Sequence, residues 1–174
     1  MSLHRSPLVH GCLIEAVAVA VLLAAPTARA AVDKPEAACL YTQAELNKVL
    51  GGAIGAGQPY EVKLGTRHLG WSCRYPGKAL KLDVAVEPSD ASRFETDRRL
   101  AEHFAQPHEY HLLPGVGEAA FVGQGGDVEV LSGGRKLRIM HLTRASGHTV
   151  SDADIRTLVK IGLERMAKLN VVGR

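Results

Sequence analysis

Three stretches of the chain carry residue types and spacings that could do chemistry. His108-Glu109-Tyr110-His111 places two imidazoles three residues apart, and imidazole favours transition metals. His108 and His111 are therefore the metal candidates; a complete site needs three or four converging ligands and a supporting shell, and His103, His141 and His148 are scattered. Pro114-Gly115-Val116-Gly117-Glu118-Ala119-Ala120 contains a GxGxxA string, the pattern that holds a dinucleotide pyrophosphate when a strand precedes it and a helix opens after it. Here a proline and a short loop precede it and Phe121-Val122-Gly123 reads as strand, so the expectation is a tight turn using two permissive glycines. Arg135, Lys136, Arg138 and Arg144 form a basic streak that fits either an acidic partner or a solvated edge strand guarded against pairing.

The catalytic patterns are missing. There is no GxSxG, Ser146-Gly147-His148 reads as a turn, Asp152 and Asp154 are accounted for by helix capping, and Asp127 and Glu129 look like the wet face of a strand. No catalytic residue and no cofactor is expected, and the chain reads as non-enzymatic.

The start of the chain bears on where those residues work. Arg5 leads into an apolar run of about ten residues, 16–25, then Pro26 and Ala28-Arg29-Ala30. This is the pattern of a secretory signal peptide cleaved near Ala30, and the run is about half of what crossing a bilayer takes. Neither Cys12 nor Cys39 follows a Leu-small-small box directly after the run, so a soluble periplasmic or secreted protein beginning at Ala31, without a stable membrane anchor, is expected. Cleavage also removes Arg5, Glu15 and Arg29, leaving 19 basic and 17 acidic residues, a balance of +2. With eight scattered aromatics and no interleaved basic cluster, nucleic-acid binding is not expected. Two of the three cysteines remain, Cys39 and Cys73, and in an oxidising compartment they should pair.

The elements that must position these groups are legible in outline. After a leader at 31–38, Thr42-Gln43-Ala44-Glu45 is a capping box opening a short helix with Leu46, Val49 and Leu50 on its apolar face and Gly51-Gly52 as its stop. Strands are expected at 60–68, 71–75 and 79–87. In the last of these Leu80, Leu82, Val84 and Val86 alternate with Lys81, Asp83, Ala85 and Glu87, whose side should face water. Pro88-Ser89-Asp90 starts a second helix reaching Phe104, with Ala91, Phe94, Ala101 and Phe104 as its inner face and Pro107 beyond its end. Further strands fall at 118–122, 127–131 and 136–143, the last two joined through Ser132-Gly133-Gly134. Ser151 and Asp154 cap a closing helix whose Ile155, Leu158, Val159, Gly162, Met166 and Leu169 repeat at helical spacing. Trp71, two residues from Cys73, should share its face and pack on the disulfide in the core.

The order αβββαβββα, with strands joined by short turns, implies an α+β fold: a single domain over 39–174 with a mainly antiparallel sheet of about six strands flanked by three helices. At 174 residues, 46% hydrophobic and 22% charged, the chain has the composition of an ordinary globular domain. Its two αβββ halves suggest a repeat of topology without residue-level similarity.

The Cys before Leu-Tyr-Thr-x-x-Glu-Leu, the Leu-Gly-Gly stop, Trp71-Ser72-Cys73-Arg74-Tyr75, the Leu113-Pro114-Gly115-Val116-Gly117-Glu118-Ala119-Ala120-Phe121 segment and the closing amphipathic helix together resemble a group of small exported bacterial domains of unknown function, common among actinobacterial lipoproteins. Some of these are similar to the Mog1/PsbP-like sandwich. The resemblance implies an antiparallel sheet flanked by helices and a non-enzymatic binding or assembly role in the cell envelope, with a protein or envelope component as partner; it transfers no functional residue. Two alternatives stand beside it: a carrier of a small hydrophobic ligand between sheet and helices, and a metal-binding protein using His108 and His111.

Overall fold

A computed structural model describes residues 34–78, 80–106, 108–142 and 150–169. The expected signal peptide, Pro107, Arg144, the Ser146-Gly147-His148 turn and the end of the expected strand 136–143 lie outside them.

The architecture is α+β. Among the described residues seven strands form one antiparallel sheet in the order β1-β2-β3-β7-β6-β5-β4, where β1 is Gln58–Leu64, β2 Arg67–Tyr75, β3 Leu82–Pro88, β4 His111–Leu112, β5 Ala119–Val122, β6 Val128–Ser132 and β7 Arg135–Met140. The expected six strands are joined by the two-residue β4, too short to leave a periodic signal. The helices are a single turn α1, Pro35–Ala38, then α2, Gln43–Leu50, α3, Ala91–Phe104, and α4, Asp152–Leu169. Each half is a meander that starts at one edge and ends at the centre, so the last strands of the two halves, β3 and β7, pair with each other.

Local chemistry sets these elements where the sequence places them. Thr42 and Glu45 exchange both capping-box hydrogen bonds, and Gly51 closes α2 at φ 63°. Asp90 caps α3 by accepting from the Arg93 N–H at 2.8 Å, and Ser151 accepts from the Asp154 N–H at 3.2 Å ahead of α4. Gly133 and Gly134 form the β6–β7 turn with φ 59° and 70°, the left-handed pair a two-residue hairpin needs. The β1–β2 turn differs from expectation. The sequence reads one strand through His68 and a break before Trp71, whereas the chain turns at Gly65-Thr66 and β2 begins at Arg67; the apparent break is a register shift that leaves Leu69 without a partner and pairs Gly70, φ 140°, with Val62.

The main core fills one side of the sheet. Cys73, Tyr75, Leu82, Val84, Leu137 and Ile139 point toward α2 and α4, which present Leu46, Leu50, Ile155, Leu158, Val159 and Met166. Residues 34–38, read as leader, contribute α1, whose Ala38 is buried in this core. Cys39 is bonded to Cys73, with Cα atoms 5.0 Å apart, which ties the segment before α2 to the sheet. Trp71 shares the face of Cys73 as expected but is only half-buried.

The buried hydroxyls on this side are satisfied. Tyr75 Oη accepts from the Tyr41 N–H at 2.9 Å and donates to the Tyr41 carbonyl at 3.1 Å, while Tyr41 Oη donates to the Leu158 carbonyl at 3.0 Å. Gly162 lets α4 pass this close: a Cβ there would lie 2.5 Å from Tyr41 Oη. Burial pushes the Tyr75 hydroxyl up to about 12 and that of Tyr41 higher still. Both raised values stabilise the fold fully below the ordinary tyrosine value of about 10; the Tyr75 contribution is lost as pH rises through about 12 and that of Tyr41 above it. In an alkaline titration followed by tyrosinate absorbance and circular dichroism, part of the absorbance change is expected to lag until the fold is lost. Complete ionisation near pH ~10 with the dichroism intact would contradict this packing.

The other side of the sheet departs from expectation. Rather than facing water, Asp83 and Ala85 of β3 are buried, as is Ser72 of β2. Phe94 of α3 packs there on Phe121 and Leu131 as a second, smaller apolar cluster, with Phe94 and Phe121 ring centroids 5.5 Å apart. The two halves consequently place their helices on opposite faces, α2 on one and α3 on the other, and the repeat extends to the strands alone.

Candidate functional site

Lys136 and Arg138 lie two apart on β7 and so share the α3 side of the sheet. β7 is not the guarded edge that the basic streak suggests; it is the central strand, hydrogen-bonded to β3 and β6 on its two sides. The register sets Lys136 opposite Glu87 and Arg138 opposite Glu129. Lys136 is 3% exposed, and its Nζ meets Asp97 of α3, Glu129 Oε2 at 3.1 Å and Glu87 at 3.7 Å. Arg138 lies 2.9 Å from Glu129 Oε1 and 3.6 Å from Glu87. Glu129, expected on a wet face, is buried among these charges.

Acid outweighs base in this cluster. Burial alone would lower the Arg138 pKa, yet Glu129, Glu87 and Asp127 more than offset it and the net shift is upward. Nearby, Arg74 and Asp83 neutralise one another at 2.8 Å, and His141 reaches toward Asp83 at 3.8 Å. Asp127 Oδ1 accepts the His141 N–H at 2.8 Å, holding His141 at φ 66° where β7 ends.

Above this floor, α3 and the β5–β6 connection enclose an open cleft of about 330 Å³. Its floor is Glu129, Lys136 and Arg138, its far wall Gln124 and Asp127, and its near wall the flank of α3. The inner face of α3 is narrower than expected. Phe94 is buried as expected, but Ala91 is exposed and Phe104 is 67% exposed. Phe104 and Leu100, itself 52% exposed, stand one turn apart on the lip of the cleft. The helix itself is firmly held: Arg98 donates to Glu95, to Glu102 and, at 2.7 Å, to Tyr110 Oη, whose ring packs on Phe121.

The sequence candidates lie elsewhere. His108 is exposed in the turn after α3, and His111 lies on β4 with Nε2 3.0 Å from Asp152 Oδ1 at the start of α4. Among the described residues no three His, Cys, Asp or Glu side chains converge to hold a metal ion. Gly115 and Gly117, at φ 75° and 58°, form a turn leading into β5, with the Glu118 N–H donating to the Leu131 carbonyl at 2.8 Å. At Gly117 a Cβ would stand 2.6 Å from that carbonyl oxygen, so the second glycine of the GxG string serves strand packing. No helix of the described residues is long and apolar enough to cross a membrane.

What sequence reasoning missed is the α3 cleft. Its signal was Asp97, a charge between Phe94 and Ala101 on the stripe that should be apolar, with Phe104 at the far end of that stripe and Leu100 beside it. Comparison with protein-family models, with curated proteins and with solved structures gives no match. The functional reading therefore rests on this geometry and on the chemistry of its residues.

Proposed function

We propose that this protein is an exported, non-enzymatic binding module of the cell envelope, and that it engages a partner protein through the cleft beside α3. One observation carries the reading: two large apolar side chains, Leu100 and Phe104, are held exposed on a well-anchored helix directly beside a buried charged floor. Exposed apolar groups rimmed by polar ones mark interaction sites, and buried charges at the base of a cleft give orientation to what enters. The openness of the cleft and the charge of its floor suit a protruding side chain better than an enclosed hydrocarbon tail, which disfavours the hydrophobic-carrier alternative.

Export rests on the signal-peptide pattern of residues 1–30 and agrees with the Cys39–Cys73 bond, since disulfides persist in oxidising compartments. The motifs shared with small exported bacterial domains, some of them Mog1/PsbP-like, support the same class.

Photo-crosslinking in the producing cells tests the reading. A photoreactive residue at position 100 or 104 is expected to trap a discrete protein adduct, whereas the same group at Thr157, exposed on α4, gives none. Adducts of equal yield and pattern from all three positions, or none from the cleft, would overturn the cleft as the binding surface.

A further inference from the structure

The charge carried by the cleft floor selects what enters it. Three carboxylates, Asp97, Asp127 and Glu129, line the cleft against two cations, Lys136 and Arg138, and a fourth carboxylate, Glu87, stands behind them. The other charges nearby do not reverse this excess. Arg74 is paired with Asp83, which His141 also approaches, and on α3 Arg98 and Arg99 are drawn to Glu95.

Glu129 is the buried member of this excess. It is more than nine-tenths buried and lines the cleft, yet its Oε2 accepts no hydrogen bond in the described structure. Lys136 Nζ stands 3.1 Å away, near enough for charge attraction but outside hydrogen-bond alignment, its ammonium being engaged with Asp97. Arg138 Nε beside it is likewise buried and outside hydrogen-bond alignment with Glu129, so the feature that selects a ligand is the acidic excess of the cleft and not one oxygen.

We infer that the cleft receives a lysine or arginine side chain of a partner protein, the cation seated toward Asp127 above the acidic floor and a neighbouring apolar side chain resting on Leu100 and Phe104. The inference builds on the binding role proposed above and adds the chemistry of the partner. A cation on an apolar stem satisfies both halves of the site: its charge meets the acidic excess at the floor, and its hydrocarbon stem lies along the α3 flank. An anionic segment meets net repulsion, and a purely apolar one leaves the acidic excess unanswered.

The test is a titration of the 15N-labelled protein, followed by amide shifts, with three capped pentapeptides that differ only at the centre: acetyl-Ala-Leu-Lys-Leu-Ala-amide and its glutamate and norleucine counterparts. Saturable shifts confined to the cleft, at Ala101, Gln124 and Glu129, are expected with the lysine peptide, at an affinity about tenfold above that of either counterpart and weakening as ionic strength rises. Asp127→Asn keeps an oxygen for the His141 N–H while removing one charge, and is expected to weaken lysine-peptide binding severalfold with the fold intact. Equal binding of lysine and norleucine peptides at the cleft would overturn the cation preference and leave the binding role standing. Failure of all three to shift the cleft amides would remove both. Hexylammonium binding there without the lysine peptide would replace the protein partner by a small amine.

Discussion

Lys136→Ala is expected to destabilise the fold by about 3–5 kcal/mol, because it leaves Asp97, Glu87 and Glu129 facing one another without the ammonium they share. For a domain of this size that corresponds to a melting temperature lower by roughly 10–20 °C. The cost arises from the uncompensated acids and not from the lost hydrocarbon alone, and a second substitution separates the two. Asp97→Asn added to Lys136→Ala removes the charge left without a cation and is expected to return part of the loss, so that the double variant melts above the single one. The pair is measured by thermal unfolding in low salt. A single variant within about 1 kcal/mol of the parent would mean that the cluster is solvated and contributes as little as an exposed ion pair.

Removal of the Cys39–Cys73 bond has an effect of similar size by a different route. The bond closes a loop across 34 positions, and on the chain-entropy account its loss returns about 3–4 kcal/mol of freedom to the unfolded chain. The native state should change little at first, since Cys73 stays buried in the core and α2 keeps its capping box and its packing through Leu46 and Leu50. Cys39→Ser with Cys73→Ala is therefore expected to lower the unfolding midpoint in urea without a matching change in near-ultraviolet dichroism under native conditions. A midpoint equal to that of the oxidised parent would show that the bond leaves the stability of the fold unchanged.

The parts of the fold that were legible in the sequence are those specified within a few residues. Thr42 with Glu45, Asp90 and Ser151 with Asp154 each satisfy orphan amides one turn away, so the local order of residues locates three helix starts. Gly133-Gly134 fixes the β6–β7 turn for the same reason. The apolar stripe of α4 was readable because nearly every member meets the same core.

The rest depended on partners distant in the chain. Lys136 looked like an edge guard because a buried lysine is rare, and nothing near it reveals that Asp97, 39 residues earlier, comes to meet it. Glu129 was misread in the same way, since alternation identifies a second face of a strand without saying whether a helix covers it. The α3 stripe failed because its central member is Asp97, paired and therefore tolerated where an apolar residue was expected. Local rules broke at the cleft, and it is there that the structure offers its binding surface.

The meeting of β3 and β7 at the centre of the sheet orders events in time. Val84 of β3 faces Ile139 of β7, 55 positions later, whereas every other strand pair joins neighbours in the chain. The hairpins can therefore close early, while the central pairing must wait until the whole of the chain between them has been made and the largest loop entropy overcome. Until β7 arrives, β3 is an open edge whose Leu82, Val84 and Val86 have no cover on one flank. A nascent chain that stops short of residue 135 thus holds a half-sheet whose inner edge has no partner in the chain made so far.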